Sequence, residues 1–301
     1  MKKNNINKKL ILFIFVFFIL DFGISKFLLI GLNKYYGLGD NSEIAFVGHS
    51  HLMLGVDKQM IEQELDVTIS KYTREGVNVE DRQVMVKQLL AENKNLKTVI
   101  YGVDAWTFSS EGLSSNSYKL FYPFMNDPVI NDFVYESTNK SDYWTKKIIK
   151  TTRYNELLLS GALRGYLGKW DNLKFGKVDT LSLKEKIKSG DFREIKNTSS
   201  NIKFFNETLE LLSENNIKVI LMYVPTIDIL RDNQEVKYKE TIALFDAISK
   251  KSHNINFVNF QEPWSHNYDL FYDPIHMNPE GQKVVTKELI KYLKSSGLLK
   301  K

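Results

Sequence analysis

Three residue types that together make a hydroxyl nucleophilic stand at two places in the chain. Ser50 lies in the run Gly48-His49-Ser50-His51, directly after the apolar residues 44–47. Asp273 and His276 lie three apart near the other end, in Tyr272-Asp273-Pro274-Ile275-His276. A serine hydroxyl attacks a carbonyl only when an adjacent imidazole can take its proton. That imidazole needs a carboxylate on its other nitrogen to hold the tautomer and stabilise the imidazolium. A spacing of three lets one turn of chain bring Asp273 to the His276 nitrogen that faces away from Ser50. The chemistry would be acyl transfer through a serine ester. A lone Ser after a strand is more often only a helix cap, so the weight falls on the combination.

For these residues to meet, the intervening chain must fold them onto one edge. Short continuous apolar runs at residues 44–47, 67–69, 99–101, 219–224 and 257–260 read as strands buried on both faces, as in a parallel sheet. Helical spacings lie between them: Ile61 and Leu65; Val86, Leu89 and Leu90; Phe204, Leu209, Leu211 and Leu212; Ile242, Phe245 and Ile248. Asn278 is placed to cap a last helix, with Pro279 in its first turn and Val285, Leu289 and Leu293 on its buried stripe. The order β-α-β-α-β, a long interruption, then α-β-α-β-α predicts a doubly wound, flavodoxin-like α/β domain with a five-stranded parallel sheet. The interruption, about residues 105–198, is read as a mostly helical insertion beside the site. It is rich in aromatics such as Trp106, Phe108 and Tyr122, which are more often core than sugar platforms.

Open α/β sheets bind ligands beyond the carboxyl ends of their strands. Ser50 follows the first strand there, Gly76 the second, Asp104 the third, and the Asp273/His276 pair the fifth. The Ser50 N–H, at a helix start, is one donor for an oxyanion. Gly76 is the second, because glycine lets backbone approach closely. His49, His51 and Asp104 are expected to line the substrate. Two histidines two apart, with Asp273 and His276, also leave open a divalent metal site. No cofactor is expected.

The amino terminus differs in kind. Residues 10–20 are continuously apolar, and residues 10–32 together are long enough to cross a hydrocarbon core of ~30 Å. Lys2, Lys3, Lys8 and Lys9 precede the run, which predicts a cytoplasmic amino terminus and an extracytoplasmic main domain. A cleaved signal peptide is the competing reading, but no small-x-small cleavage site follows. Asp21 within the run either pairs with a membrane partner or sits near the outer interface. The expected division is an anchor over residues 1–35 and an α/β domain over 36–301.

The chain has 301 residues and a formal charge of +5, of which those four lysines supply most. The remainder is nearly neutral, which speaks against a nucleic-acid footprint. Cysteine is absent, so disulfides, thiolate zinc sites and a Cys nucleophile are all excluded.

Phe-Val-Gly-His-Ser-His-Leu-Met-Leu-Gly-Val-Asp around Ser50, with Tyr-Asp-Pro-Ile-His-Met-Asn-Pro-Glu-Gly-Gln near the end, resembles the SGNH (GDSL-like) hydrolase superfamily. It is more closely similar to the membrane-anchored branch that includes the D-alanyl transfer protein of teichoic acid synthesis and the alginate acetylation proteins. The resemblance implies a nucleophile at Ser50, Asp273 and His276 as its partners, and Gly76 as the oxyanion glycine. It implies a serine esterase or O-acyltransferase acting on a cell-envelope or exported glycan, in company with a membrane-bound acyltransferase. A non-catalytic accessory subunit is the alternative. The chain departs from the family's third block, where Gly102-Val103-Asp104-Ala105 lacks the usual Asn, and His49 replaces the usual acid of the first block.

Overall fold

The structure is a computed structural model that describes residues 2–39, 41–109 and 114–297, with side chains from Asn7 onward. The elements run α1 (Lys2–Tyr36), β1 (Ile44–Gly48), α2 (Ser50–Gly55), α3 (Lys58–Leu65), β2 (Ile69–Thr73), α4 (Val79–Glu92) and β3 (Thr98–Val103). A 3₁₀ helix (Ser117–Phe124), α5 (Pro128–Ser137), α6 (Lys140–Ile148), a 3₁₀ turn (Lys150–Arg153), α7 (Glu156–Tyr166), α8 (Thr180–Lys188) and α9 (Ser199–Glu214) follow. The chain continues with β4 (Lys218–Tyr223), α10 (Asp228–Asp232), α11 (Glu235–Lys251), β5 (Ile255–Asn259), α12 (Gln261–Trp264), β6 (Phe271–Asp273), β7 (His276–Met277) and α13 (Pro279–Ser295).

Two compact units emerge from the contacts: residues up to Tyr36 with Ser115–Lys169, and Gly37–Ser114 with Trp170 onward. In the second, five parallel strands lie in the order β2-β1-β3-β4-β5. This is the flavodoxin-like order expected from the sequence, and it puts β1 and β3 in the middle. β1 and β3 are buried along their whole length, which is why they read as unbroken apolar runs.

β2 departs from expectation: it occupies residues 69–73, not 67–69. Its sequence Ile-Ser-Lys-Tyr-Thr hides the strand because three polar side chains, Ser70, Lys71 and Thr73, are buried. Ser70 Oγ donates to the Gly37 carbonyl at 2.6 Å and accepts from Asn93 Nδ2 at 2.8 Å. Lys71 Nζ donates to the Met53 and Val56 carbonyls at 2.9 and 2.6 Å, which closes the carboxyl end of α2. β6 and β7 form a small antiparallel pair that the hydropathy pattern did not signal.

In the first unit, α1 carries the one helix among the described residues long and apolar enough to cross a membrane, Asn7–Tyr36. Leu10 through Leu20 are all exposed. From Asp21 on, one face packs on the unit's other elements. Asp21 is buried. Its Oδ2 accepts the Lys150 N–H at 2.8 Å, and Oδ1 accepts the Thr151 N–H and hydroxyl at 2.8 and 2.6 Å. The acid within the apolar run therefore caps the 3₁₀ turn at Lys150–Arg153, satisfied inside the chain. α1 and α7 approach closely at glycines: a Cβ on Gly165 would strike the Gly31 carbonyl and lie 2.8 Å from the Tyr35 nitrogen. The expected single insertion over residues 105–198 is thus divided. Its ends belong with the sheet, and its middle, from Ser115, clusters with α1 through these contacts.

Candidate active site

β1 ends at Gly48, and the chain turns directly into α2, with Ser50 as its first residue. His49 is the cap: its Nδ1 accepts the His51 N–H at 3.2 Å. At the other end of the sequence, β6 and β7 pair Asp273 opposite His276. Asn278 caps α13 as expected, accepting the Glu280 and Gly281 N–H groups at 3.1 Å each. Gln282 on α13 donates to the Leu54 carbonyl at 2.9 Å, and Thr286 accepts the Asp57 N–H at 2.9 Å. These bonds fasten the element bearing the base to the segment bearing the nucleophile.

Ser50, His276 and Asp273 meet. His276 Nε2 is 2.7 Å from Ser50 Oγ, and His276 Nδ1 is 2.7 Å from Asp273 Oδ2. The other carboxylate oxygen, Oδ1, accepts the backbone N–H of Ile275 at 3.0 Å and of His276 at 2.9 Å. Burial raises the Asp273 pKa, but His276 and these two N–H donors outweigh it and hold the carboxyl below its ordinary value. An ionised Asp273 keeps a proton on Nδ1, which leaves Nε2 free to receive the serine proton.

Gly76 sits in the turn after β2 with φ +74°, and a Cβ there would press on Ser114 Cβ at 2.8 Å. The Arg74 N–H donates to the Gly48 carbonyl at 3.1 Å, tying this turn to the end of β1 two residues from Ser50. Asn78 closes the turn with a reciprocal cap to Asp81.

His49, His51 and Asp104 form one buried cluster. Asp104 Oδ2 lies 2.7 Å from His49 Nε2 and 2.9 Å from His51 Nδ1, close contacts in which neither N–H is aligned head-on. Its Oδ1 accepts the Trp106 N–H at 2.8 Å. The His51 ring stands edge-on to the His276 ring, with centroids 5.2 Å apart at 90°. Burial drives the His49 pKa down to about 3, and His51 shifts the same way for the same reason. Both imidazoles are therefore neutral, each in close contact with Asp104. Burial raises the Asp104 pKa, yet contact with the two imidazoles brings it well below its ordinary value.

These three residues offer one ligand atom each within 4.8 Å of one another, so a cation is a fair question. The tautomers answer it. Because His49 Nδ1 accepts an N–H, the ring proton is on Nε2, the atom a metal would need bare. A metal there would force a proton onto Nδ1, against the His51 N–H. That bond argues against a cation at His49 Nε2; the residues that come together as possible ligands are His49, His51 and Asp104, not the expected grouping with Asp273 and His276.

Arg82 was not singled out in the sequence, though it stands one turn beyond Asn78 on an otherwise apolar helix face. It is fully buried, and its guanidinium donates to the Gly102 carbonyl at 2.9 Å and the Asn78 carbonyl at 3.1 Å. It joins the exits of β2 and β3. A cavity of about 480 Å³ opens beside Asp273, lined by Lys177, Asp179, Ser182, Lys186 and Tyr272 among others.

Among solved structures, the chain is similar to a candidate acylhydrolase from Bacteroides fragilis, with TM-score 0.40 and 12% identity over 85% of this chain and 87% of that one. It is also similar to a GDSL-like lipase from Bacteroides thetaiotaomicron, with TM-score 0.38 and 13% identity over 84% and 89%. An acetyl xylan esterase from Butyrivibrio proteoclasticus matches with TM-score 0.38 and 11% identity over 86% and 64%. No protein-family model and no curated protein matches the chain in sequence. The chemistry of the site rests on its own distances.

Proposed function

We propose that the chain is a membrane-anchored serine esterase or O-acyltransferase of the SGNH type, working outside the cytoplasm on a cell-envelope or exported glycan. The observation that carries this is the unbroken relay Asp273–His276–Ser50, with both links at 2.7 Å.

His276 Nε2 takes the Ser50 proton as Oγ attacks an ester carbonyl. The N–H groups of Ser50 and Gly76 receive the oxyanion, a contribution of about 10²–10³ in rate per donor. Asp273 stabilises the imidazolium, which protonates the departing alkoxide. The acyl group is then on Ser50. Water, or a sugar hydroxyl deprotonated by the same His276, attacks that ester and restores the serine. Asp104 stands where the family places an Asn donor. As an acceptor it cannot hold an oxyanion, so its part is to fix His49 and His51 behind the nucleophile and the base.

The lysine cluster at the start of α1, ahead of its apolar run, supports a cytoplasmic amino terminus, and the helix itself supports a single-pass anchor. The polar, partly basic cavity beside Asp273 suits a polyhydroxyl acceptor. A partner that hands over the acyl group, such as a membrane-bound acyltransferase, fits the same reading.

The test is turnover of 4-nitrophenyl acetate by the full chain in detergent, with and without soluble oligosaccharides. A rapid release of nitrophenol with acetyl found on the Ser50 peptide supports the reading. Acetylated sugar among the products indicates transfer, and free acetate alone indicates hydrolysis. No acetyl-serine and no turnover would leave the accessory-subunit reading.

A further inference from the structure

A cavity of about 220 Å³ opens in the first unit where α1 meets the 3₁₀ turn Lys150–Arg153. Phe22 and Leu29 give it an apolar side, and Ser25, Lys26, Lys150 and Arg153 a polar one. Three cations and no carboxylate stand in its lining. Arg153 is only 2% exposed, and its Nε donates to the Lys146 carbonyl at 2.8 Å. Asp21 is in electrostatic range of Arg153, but its oxygens are committed to Lys150 and Thr151. Lys150 Nζ lies 4.6 Å from the Phe22 ring centre.

The position of this cavity along α1 is informative. A hydrocarbon core of ~30 Å takes about 20 helical residues, so a span that begins at Leu10 leaves it near Leu29. Phe22, Ile24, Phe27 and Ile30 continue the exposed apolar face to that level. The cavity therefore lies in the outer half of that span, with Leu29 at its edge, so its cations stand below the outer headgroups, and Lys26 can snorkel outward to them.

We propose that this cavity holds the phosphodiester headgroup of an anionic phospholipid, with the acyl chains lying along Phe22 and Leu29. It rests on the reading of α1 as a membrane span. Arg153 offers the phosphate a buried, planar donor set. Lys26 and Lys150 supply the remaining charge. A free phosphate would use the same cations but would leave the apolar side unfilled.

Native mass spectrometry of the full chain in mild detergent tests this, with phosphatidylglycerol and phosphatidylcholine of matched acyl chains offered in equal amounts. Phosphatidylglycerol should be retained in preference. The double variant Lys26→Gln/Lys150→Gln should lose that preference by about fivefold per charge removed, about 25-fold in all. Its melting temperature and its fluorophosphonate labelling should match the parent, since neither lysine belongs to the catalytic unit. Arg153→Gln should lower retention further. Equal retention of the two lipids, or a preference that survives the double variant, overturns the proposal. Displacement of the lipid by millimolar inorganic phosphate overturns it in favour of a simple anion site. Flotation with liposomes of each lipid reads the anchor separately: failure to float with either overturns the span reading and the site with it.

Discussion

His49 Nδ1 accepts the backbone N–H of His51 at 3.2 Å, and this bond sets the tautomer of the His49 ring. It puts the His49 ring proton on Nε2, facing Asp104, which argues for the cluster as a buried support and against a cation at that nitrogen. Chelation with EDTA should therefore leave fluorophosphonate labelling and ester turnover unchanged, and added zinc should not raise either. Loss of activity on chelation, restored by a divalent ion, would contradict this reading.

The same burial predicts how stability depends on pH. His49 resists protonation down to about 3, against an ordinary value of 6.5, and His51 is shifted in the same direction. Below pH ~6.5 the unfolded chain binds protons on these residues that the folded chain refuses. Stability should therefore fall as pH drops through that window, by about 1.4 kcal/mol per pH unit for His49, with His51 adding a loss of the same sign. Asp273 and Asp104, whose folded pKa values are depressed, add a further loss only below their ordinary value of 3.8. Denaturant melts from pH 7.5 to 4 should show the slope, and His49→Gln should flatten it.

Gly76→Ala should impair both the turn and the oxyanion donor. A side chain at φ +74° costs about 1–2 kcal/mol of strain, and this one also meets Ser114. If the backbone shifts to relieve it, turnover should fall by about 10²-fold with little change in KM. Steady-state kinetics on a simple ester checks this. An unchanged turnover number would remove Gly76 from the site.

Gly165→Val should separate α1 from α7, because even a Cβ at that position collides with the Gly31 carbonyl. Overpacking of this kind costs about 1–3 kcal/mol. The loss should appear as protease sensitivity within Ser115–Lys169, while labelling at Ser50 persists. Equal resistance to protease would show that the two helices do not depend on this contact.

Asp273→Asn should keep the geometry of the β6–β7 pair but misassign the His276 proton. Turnover should drop by about 10⁴-fold without loss of melting temperature. A small effect would mean that the carboxylate does not orient the base.

Ser50, Asp273 and His276 were legible because each stands directly after an apolar strand or before a well-marked helix cap. The parallel sheet was legible for the same reason: buried strands are written as unbroken apolar runs. β2 was not, since Ser70 and Lys71 are polar residues whose partners, Gly37, Asn93, Met53 and Val56, come from other parts of the chain. His49, His51 and Asp104 were recognisable as residues near the site, but not as contacts of one another. Their pairing is set by β1 and β3 lying side by side, which no local pattern records. Asp21 looked costly in an apolar run because its capping partners lie about 130 residues away.

The most direct measurement is fluorophosphonate labelling of the full chain, read by intact mass, beside Ser50→Ala and His276→Ala. One label per chain should form on the parent, none on Ser50→Ala, and far less on His276→Ala. A folded parent that takes no label, or a Ser50→Ala chain that still does, would contradict the assignment of Ser50 as the activated nucleophile.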